Sequence, residues 1–449
     1  MGSEWKQTTI GEEATLQRGF DITRKQQSHG KVPVVSSGGI SSYHNVAKQS
    51  GPGVVMGRKG SLGTVFFLAE EYWPHDTTLW VKDFHGNDER FVYYFFKDLA
   101  AHLLSMDVGA ANPTLNRNHV HPMEIRWPPL PEQKAIAHIL GTLDDKIGLN
   151  RRMNATLEGM AQALFKSWFV DFDPVIDNIL VKNMANGASL EPSPNLSQGE
   201  RDFAADNASS SPTGRSKDEG SIFDGIPDEL AARAEVRRQA LANGTTNREA
   251  AKPFPDSFQE TEDMGWIPEG WSIQKISDVA NLTWGDTKVT KKAYTVEGYT
   301  AYSAKGPDGF LSYYDFDKVG IVLSAIGSNS GQSFLAHGKW SCIKNTIRLW
   351  AEESDEITFY LYHVASTPLF WPLRGSAQPF ISQTDARNCR LLFPKVEITR
   401  EFGSMVAELY RKAWDNESRN ITLTKLRDTL LPKLISGELR VANQEQLKA

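Results

Sequence analysis

Three pairs of polar loops hold the side chains of this sequence best suited to grip a partner molecule. The first is Gly57-Arg58-Lys59-Gly60-Ser61-Leu62-Gly63. A glycine-rich turn exposes backbone N–H groups, and Arg58, Lys59 and Ser61 at its tip add donors suited to phosphate. Its counterpart is Gly327-Ser328-Asn329-Ser330-Gly331. Arginine favours the O6/N7 edge of guanine and asparagine the N6/N7 edge of adenine, so exchanging these tips would change base readout. The second loop carries Asn112, Thr114, Asn116 and Arg117, against Gln378 and Gln383 with Arg374 just before them. The third sets Ser36 and Ser37, with His44, against Ser303 and Lys305. Arg18, Arg24, Lys25 and Lys31 flank the first set; Lys288, Lys291, Lys292, Lys344 and Asn345 flank the second. Each loop alone reads somewhat better as an ordinary polar turn. Three matched pairs with altered chemistry favour recognition.

Catalytic signatures are missing. No G-x-x-x-x-G-K-[ST] phosphate loop and no G-x-S-x-G nucleophile elbow occurs, nor does an Asn/Asp-Pro-Pro-aromatic motif of the amino-methyltransferase kind. His119 and His121 form a weak metal signal and read better as polar-network residues. Cys342 and Cys389 are the only cysteines, too few for a disulfide scaffold, so a reducing cytoplasm is expected. No apolar run reaches membrane-spanning length and no secretion signal is evident, so no membrane partner is expected.

The net charge of −6 is unevenly placed. Residues 174–265 hold 16 acidic and 9 basic side chains, leaving 39 acidic and 40 basic elsewhere. Residues 1–67 carry 8 basic and 4 acidic side chains, and residues 283–348 carry 8 and 5. These regions suit basic faces for phosphate, although on charge alone a solvated mixed surface is the simpler reading.

The elements that must position these loops occur twice. Trp5-Lys6-Gln7-Thr8-Thr9-Ile10 aligns with Trp271-Ser272-Ile273-Gln274-Lys275-Ile276 at an offset of 266, Trp73 with Trp340 at 267, and Thr78-Leu79 with Thr346-Ile347 at 268. Gly109, Pro113 and Pro128 return to 266. A wandering offset means loop insertions within one repeated fold. Short β-branched or aromatic runs at 32–35, 53–56 and 64–68, and at 299–302, 320–325 and 332–335, read as strands. Residues 90–104 and 357–370 have helical spacing. Without regular βαβ alternation, each copy is expected to be α+β.

Each copy ends in a long helix. Taking Ile136 as heptad position a, that line continues through Leu143, Asn150, Leu157 and Leu164; line d is Ile139, Lys146, Met153, Met160 and Ser167. Adding 266 gives Phe402, Leu409, Asn416, Leu423 and Leu430, with Met405, Lys412, Arg419, Leu426 and Lys433. Buried Asn and Lys layers would fix register, so Lys146, Asn150, Lys412 and Asn416 are expected to set helix–helix alignment. The expected organisation is two repeated domains (1–130 and 266–397), two spacer helices (131–173 and 398–440) packed as an antiparallel, pseudo-twofold coiled coil, and a short tail (441–449). Residues 174–265 are expected to be an acidic, largely flexible connector with a short helix near 227–242.

Leu130-Pro131-Glu132-Gln133-Lys134-Ala135-Ile136-Ala137 and Ala163-Leu164-Phe165-Lys166-Ser167-Trp168-Phe169-Val170-Asp171-Phe172 resemble the central conserved region of type I restriction–modification specificity subunits. Pro268-Glu269-Gly270-Trp271 and the ending Leu430-Leu431-Pro432-Lys433-Leu434-Ile435-Ser436-Gly437-Glu438-Leu439 resemble that family's second half. The resemblance implies two target-recognition domains, each reading half of a bipartite double-stranded DNA site, with the helices as a ruler. It also implies two methyltransferase subunits using S-adenosylmethionine, with two ATP- and Mg-dependent translocase–nuclease subunits in those systems that include them, this chain itself holding no cofactor and doing no chemistry. The long connector departs from the family pattern. The alternative is a repeat scaffold for protein partners that does not bind DNA.

Overall fold

The computed structural model describes residues 5–105, 114–190 and 221–441. Two compact units divide the chain: 1–153 with 414–449, and 154–413. The division falls within two long helices, Leu130–Phe169 and Val396–Ile435. Each has 40 residues, and both ends of one lie 266 residues from those of the other.

In the first unit, Thr15–Arg18, Thr78–Asp83, Gly53–Gly57 and Val65–Leu68 lie side by side in an antiparallel sheet. Gly39–His44, Val32–Ser36 and Trp73–Pro74 form a second sheet. Lys6–Thr9 pairs with Glu124–Trp127, the strand leading into the long helix. The second unit repeats this plan. Asn281–Trp284, Thr346–Trp350, Gly320–Ser324 and Ser333–Ala336 form its first sheet; Gly306–Leu311, Tyr299–Ser303, Lys339–Cys342 and Phe316–Asp317 its second; Ser272–Lys275 pairs with Arg390–Phe393. The strands GVVMG and GIVLS are buried at every position, as their unbroken apolar runs require.

The helices at Glu89–Ser105 and Asp355–Ala365 complete the two cores. The second stops short of the expected residue 370. Pro368 has no N–H to continue the ladder, and Leu369 turns the chain at φ 64°. In the first unit Trp127 packs edge-on against Phe91 and Phe95, at 5.1 and 4.8 Å between ring centres. Its Nε1 donates to Asn87 Oδ1 (2.9 Å), which also accepts from Gln133 Nε2 (2.7 Å). Buried Glu132 accepts from Trp5 Nε1 (3.0 Å) and from Arg440 (2.7 and 2.9 Å). The Leu130-Pro131-Glu132-Gln133 sequence thus ties the first strand, the helix start and the C-terminal residues together. Burying a carboxylate is tolerable only with such partners.

Within each unit the long helices run antiparallel. In the first, Asn150 Nδ2 donates to Asn420 Oδ1 (2.8 Å) and Arg427 Nη1 to Asp144 Oδ1 (2.6 Å). In the second, Asn154 Nδ2 donates to the Ala413 carbonyl (3.0 Å), and Phe165 and Trp168 pack on Phe402. The seam needs one correction. The expected a line faces inward, with Asn150 and Asn416 buried, but its companion is not the expected d line. Lys146 and Lys412 are exposed, and Met160 is 53% exposed. The inward companions are one residue later: Leu140, Ile147, Asn154, Ala161 and Trp168, matched by Val406, Ala413, Asn420, Arg427 and Leu434. The choice follows the chemistry of burial. An asparagine satisfied by a partner amide is cheaper to bury than an ammonium group, and the lysines turn to water.

The connector also differs from expectation, because its described residues are folded. Asp173–Ala185 and Ala231–Ala242 are helices, and Phe258–Thr261 pairs with Gly265–Pro268. Ile176, Leu180, Ile222 and Ala234 share a core. Buried Asp173 and Asp177 each receive a two-pronged arginine, Arg233 and Arg237. Acidic composition suggested a solvated chain. Specific pairing of the carboxylates removes that argument. Aromatic side chains of the second unit fill the space beside this module: Trp168 meets Phe254 edge-on at 5.0 Å, and Phe169 lies against Tyr360, Phe402 and Trp271.

Candidate nucleic-acid interface

The loops singled out by residue type converge within each unit, and the same backbone hydrogen bonds hold them. Gly19 N–H donates to the Thr78 carbonyl (3.0 Å), and Gly285 N–H to that of Thr346 (2.9 Å). Thr78 Oγ1 donates to the His75 carbonyl and Thr346 Oγ1 to that of Ile343, both at 2.6 Å. Arg58 N–H reaches the Thr77 carbonyl and Ala325 N–H that of Asn345, both at 2.9 Å. Leu115 N–H bonds to the Arg58 carbonyl (3.0 Å), as Ile381 N–H bonds to that of Ala325 (2.8 Å). These bonds fix residue equivalence where sequence identity is low. His75, Asp76 and Thr77 stand where Ile343, Lys344 and Asn345 stand.

In the first unit Lys59 bridges to Thr114 across the two loops, and Ser37 Oγ donates to the Lys59 carbonyl. Lys59 and Ser61 are exposed at the tip. Arg58 is half-buried, its Nη1 3.4 Å from the Asp76 carbonyl. Asn116 caps a one-turn helix by accepting from Asn118 N–H (3.0 Å), leaving Asn116 and Arg117 exposed. Arg24 and Lys25 lie exposed on a 3-10 turn capped at Thr23, and Lys31 is exposed before the next strand. Ser36 Oγ donates to the Gly39 carbonyl (3.0 Å). Asn112 lies outside the described residues.

Three residues of this set are committed elsewhere. Arg18 pairs with Asp76 at 3.0 Å. Ser37 is buried. His44 is buried too, on an edge strand, its Nδ1 accepting from Ser28 N–H (3.0 Å) and its ring 5.4 Å from Trp73. Of the two histidines weighed as metal ligands, His121 accepts from Leu16 N–H (2.9 Å), a structural bond. Burial, with Arg117 nearby, holds its pKa below the usual value.

In the second unit a cleft of about 560 Å³ gathers six of the candidates: Lys291, Lys292, Ser303, Lys305, Lys344 and Asn345. Thr290 caps the 3-10 turn carrying Lys291 and Lys292. Asn345 adopts a left-handed conformation (φ 68°), a geometry asparagine tolerates better than most side chains. Asp308 anchors one wall, accepting from Lys291, from Ser303 Oγ (2.8 Å) and from Tyr294 Oη (2.8 Å). Burial alone would raise the Asp308 carboxyl, but these hydrogen bonds outweigh it and hold the pKa below the usual range. Ser303 is thereby buried and used internally.

The remaining candidates sit beside the cleft or on the adjoining loops. Lys288 is exposed, with its N–H on Asp286 Oδ1 (2.8 Å). Ser328 is exposed, Asn329 is half-buried beside it, and Ser330 Oγ donates to the Pro379 carbonyl (2.8 Å). Arg374 pairs with Asp385 (2.5 Å), Gln378 is exposed, and Gln383 Nε2 donates to the Leu282 carbonyl (3.2 Å).

Reading the sequence missed Asp76, Asp308, Asn154 and Asn420. The asparagines recur at the 266 offset and were recoverable from it. Asp76 required the local offset of 268 to be carried through the loop to Lys344.

Comparison with known proteins completes the picture. Residues 2–159 match the family model described as the type I restriction modification DNA specificity domain. The chain is 28% identical over 364 residues to the type I restriction enzyme HindI specificity subunit of Haemophilus influenzae, covering 73% of this chain and 71% of that protein. It is 22% identical over 381 residues to the MjaIX specificity subunit of Methanocaldococcus jannaschii, covering 79% and 70%. The solved S subunit of a type I restriction–modification system from M. genitalium shares the fold, with a TM-score of 0.53 at 15% identity over 96% of each chain.

Proposed function

We infer that this chain, whose residues 2–159 belong to the type I restriction–modification DNA specificity domain family, is the specificity subunit of such a system and reads a bipartite DNA target, one half with each unit. The observation that carries this reading is the shared loop frame. Both units hold four segments together with the same hydrogen bonds, yet present different side chains: Lys59 and Ser61 at the tip of one, Ser328 and Asn329 at the tip of the other. A constant frame with exchanged polar tips is what two readers of different base sequences need.

The long helices, each about 60 Å at 1.5 Å per residue, set the separation between half-sites and offer the surface on which two methyltransferase subunits dock. S-adenosylmethionine and the methyl transfer belong to those partners; ATP, Mg and cleavage belong to restriction subunits where they join. Recognition is this chain's own work, in the cytoplasm.

Hydroxyl-radical footprinting of the assembled methyltransferase complex on its target duplex tests the reading. Two protected segments with an unprotected spacer are expected, and Arg58→Ala with Lys59→Ala should weaken protection of one segment only. No footprint would favour a scaffold that binds only proteins, and one continuous footprint would overturn the two-part arrangement.

A further inference from the structure

The two units differ in charge at a place their hydrogen bonds make equivalent. In the second unit, Lys292, Lys305 and Lys344 line the cleft beside Asn345, and none of the three makes an ion pair with a described residue. Lys291 is the exception, neutralised by Asp308. The one carboxylate at the wall, Asp308, is taken up by Lys291, Ser303 and Tyr294. In the first unit the residue at the Lys344 position is Asp76. It accepts from Arg18 (3.0 Å) and lies 2.9 Å from His75 Nδ1. Burial raises the Asp76 carboxyl, but Arg18 and His75 more than compensate and hold its pKa below the usual value, so it stays charged near neutrality. One unit therefore places three lysines without an ion pair to a described residue around one cavity. The other cancels an arginine with a carboxylate.

We propose that the Lys292–Lys305–Lys344 cleft is a DNA backbone phosphate site, a salt-dependent, sequence-independent contact that the first unit lacks at the equivalent place, where Asp76 stands. Three lysines around one concave site, beyond the Lys291–Asp308 pair, match a polyanion: each neutralised phosphate releases condensed counterions, and such contacts position a duplex without reading its sequence. The carboxylate of Asp76 repels phosphate at the equivalent place. The proposal rests on the DNA-binding reading above, and adds which residues of the second unit hold the backbone.

The test is fluorescence anisotropy of the full chain with a random-sequence duplex of about 30 base pairs, titrated across NaCl concentrations. The triple variant Lys292→Gln, Lys305→Gln, Lys344→Gln should flatten the slope of log Kobs against log salt by roughly 2 to 3. Lys344→Arg should keep the wild-type slope. Asp76→Lys should steepen the slope by about 1 and raise affinity at low salt. Thermal melts confirm that each variant is folded; all four residues are at or near the surface. An unchanged slope in the triple variant, or in Asp76→Lys, overturns the proposal while leaving DNA binding intact. A wild-type chain that binds no duplex at any salt overturns the functional reading itself.

Discussion

Gly19 and Gly285 occupy the same corner of the two units, and what surrounds them separates frame from message. A Cβ on Gly19 would lie 2.1 Å from the His75 carbonyl oxygen, and one on Gly285 would lie 2.3 Å from Thr346 Oγ1 and 2.6 Å from the Ile343 carbonyl oxygen. Backbone contact this close is shared by both units and admits no side chain. One residue past each threonine-to-carbonyl bond, the side chains become Asp76 and Lys344, opposite in sign. The frame is built from groups every residue carries, so the residues projecting from it are free to diverge. The helix contacts diverge in the same way. Where the first unit places Lys97 and Asp144 (3.7 Å), with Tyr94 donating to the carboxylate (2.8 Å), the second places His363 and Tyr410 (3.2 Å). A charged contact in one unit has become a neutral aromatic one in the other.

If the frame is common, damaging it should cost both units alike. Gly19→Ala and Gly285→Ala should each lower stability by about 3 kcal/mol, the cost of overpacking against backbone that cannot move aside. Denaturant unfolding monitored in each variant measures this. Losses differing by more than about 1 kcal/mol would mean that the two corners are not equivalent.

The helix contacts should instead respond unequally to acid. Burial drives the His363 pKa down to about 4, so the folded second unit keeps this ring neutral. Between about 6.5 and 4 the unfolded chain binds a proton that the folded chain refuses, and acidification favours unfolding. The loss is about 2 kcal/mol on going from pH 7 to pH 5. In the first unit, burial of Asp144 acts to raise its pKa, but bonds from Arg427 and Tyr94 prevail and hold it below the usual value. Its contribution is present above the ordinary carboxylate pKa and is lost only as pH falls through the lowered folded value. Hydrogen exchange at pH 7 and pH 5 should therefore show the second unit loosening first, and His363→Gln should remove most of that difference. Earlier opening of the first unit would contradict this assignment.

Much of the framework was legible because it is periodic or repeated. The strands around Val54 and Val322 stood out as unbroken apolar runs between glycines, and the long helices matched end to end at one offset. Loops carry no period, and residue type is the only signal their sequence offers. Lys344 and Lys305 then proved to share a cleft, whereas His44 and Ser303 proved to be internal hydrogen-bonding groups. A polar residue beside glycine looks the same in sequence whether it faces water or a buried partner. Lys146 illustrates a different limit. Two adjacent heptad lines compete in each helix, and the expected one carries Lys146 in the first and Lys412, Arg419 and Lys433 in the second, cations that cost more to bury than Asn154 and Asn420. Within 174–265, the folding of the described residues 174–190 and 221–265 is not legible, because composition cannot show that Arg233 and Arg237 meet Asp173 and Asp177.

The central claim is that the two units read separate halves of one DNA target. The most direct measurement is the methylation motif of cells carrying the intact system, determined by methylome sequencing for the wild type and for a chain in which Ser328, Asn329 and Ser330 are replaced by alanine. The account predicts a bipartite motif in the wild type, and in the variant relaxed or altered preference in one half with the other half and the spacer length unchanged. A motif that changes in both halves, or that has no two-part structure, would contradict it.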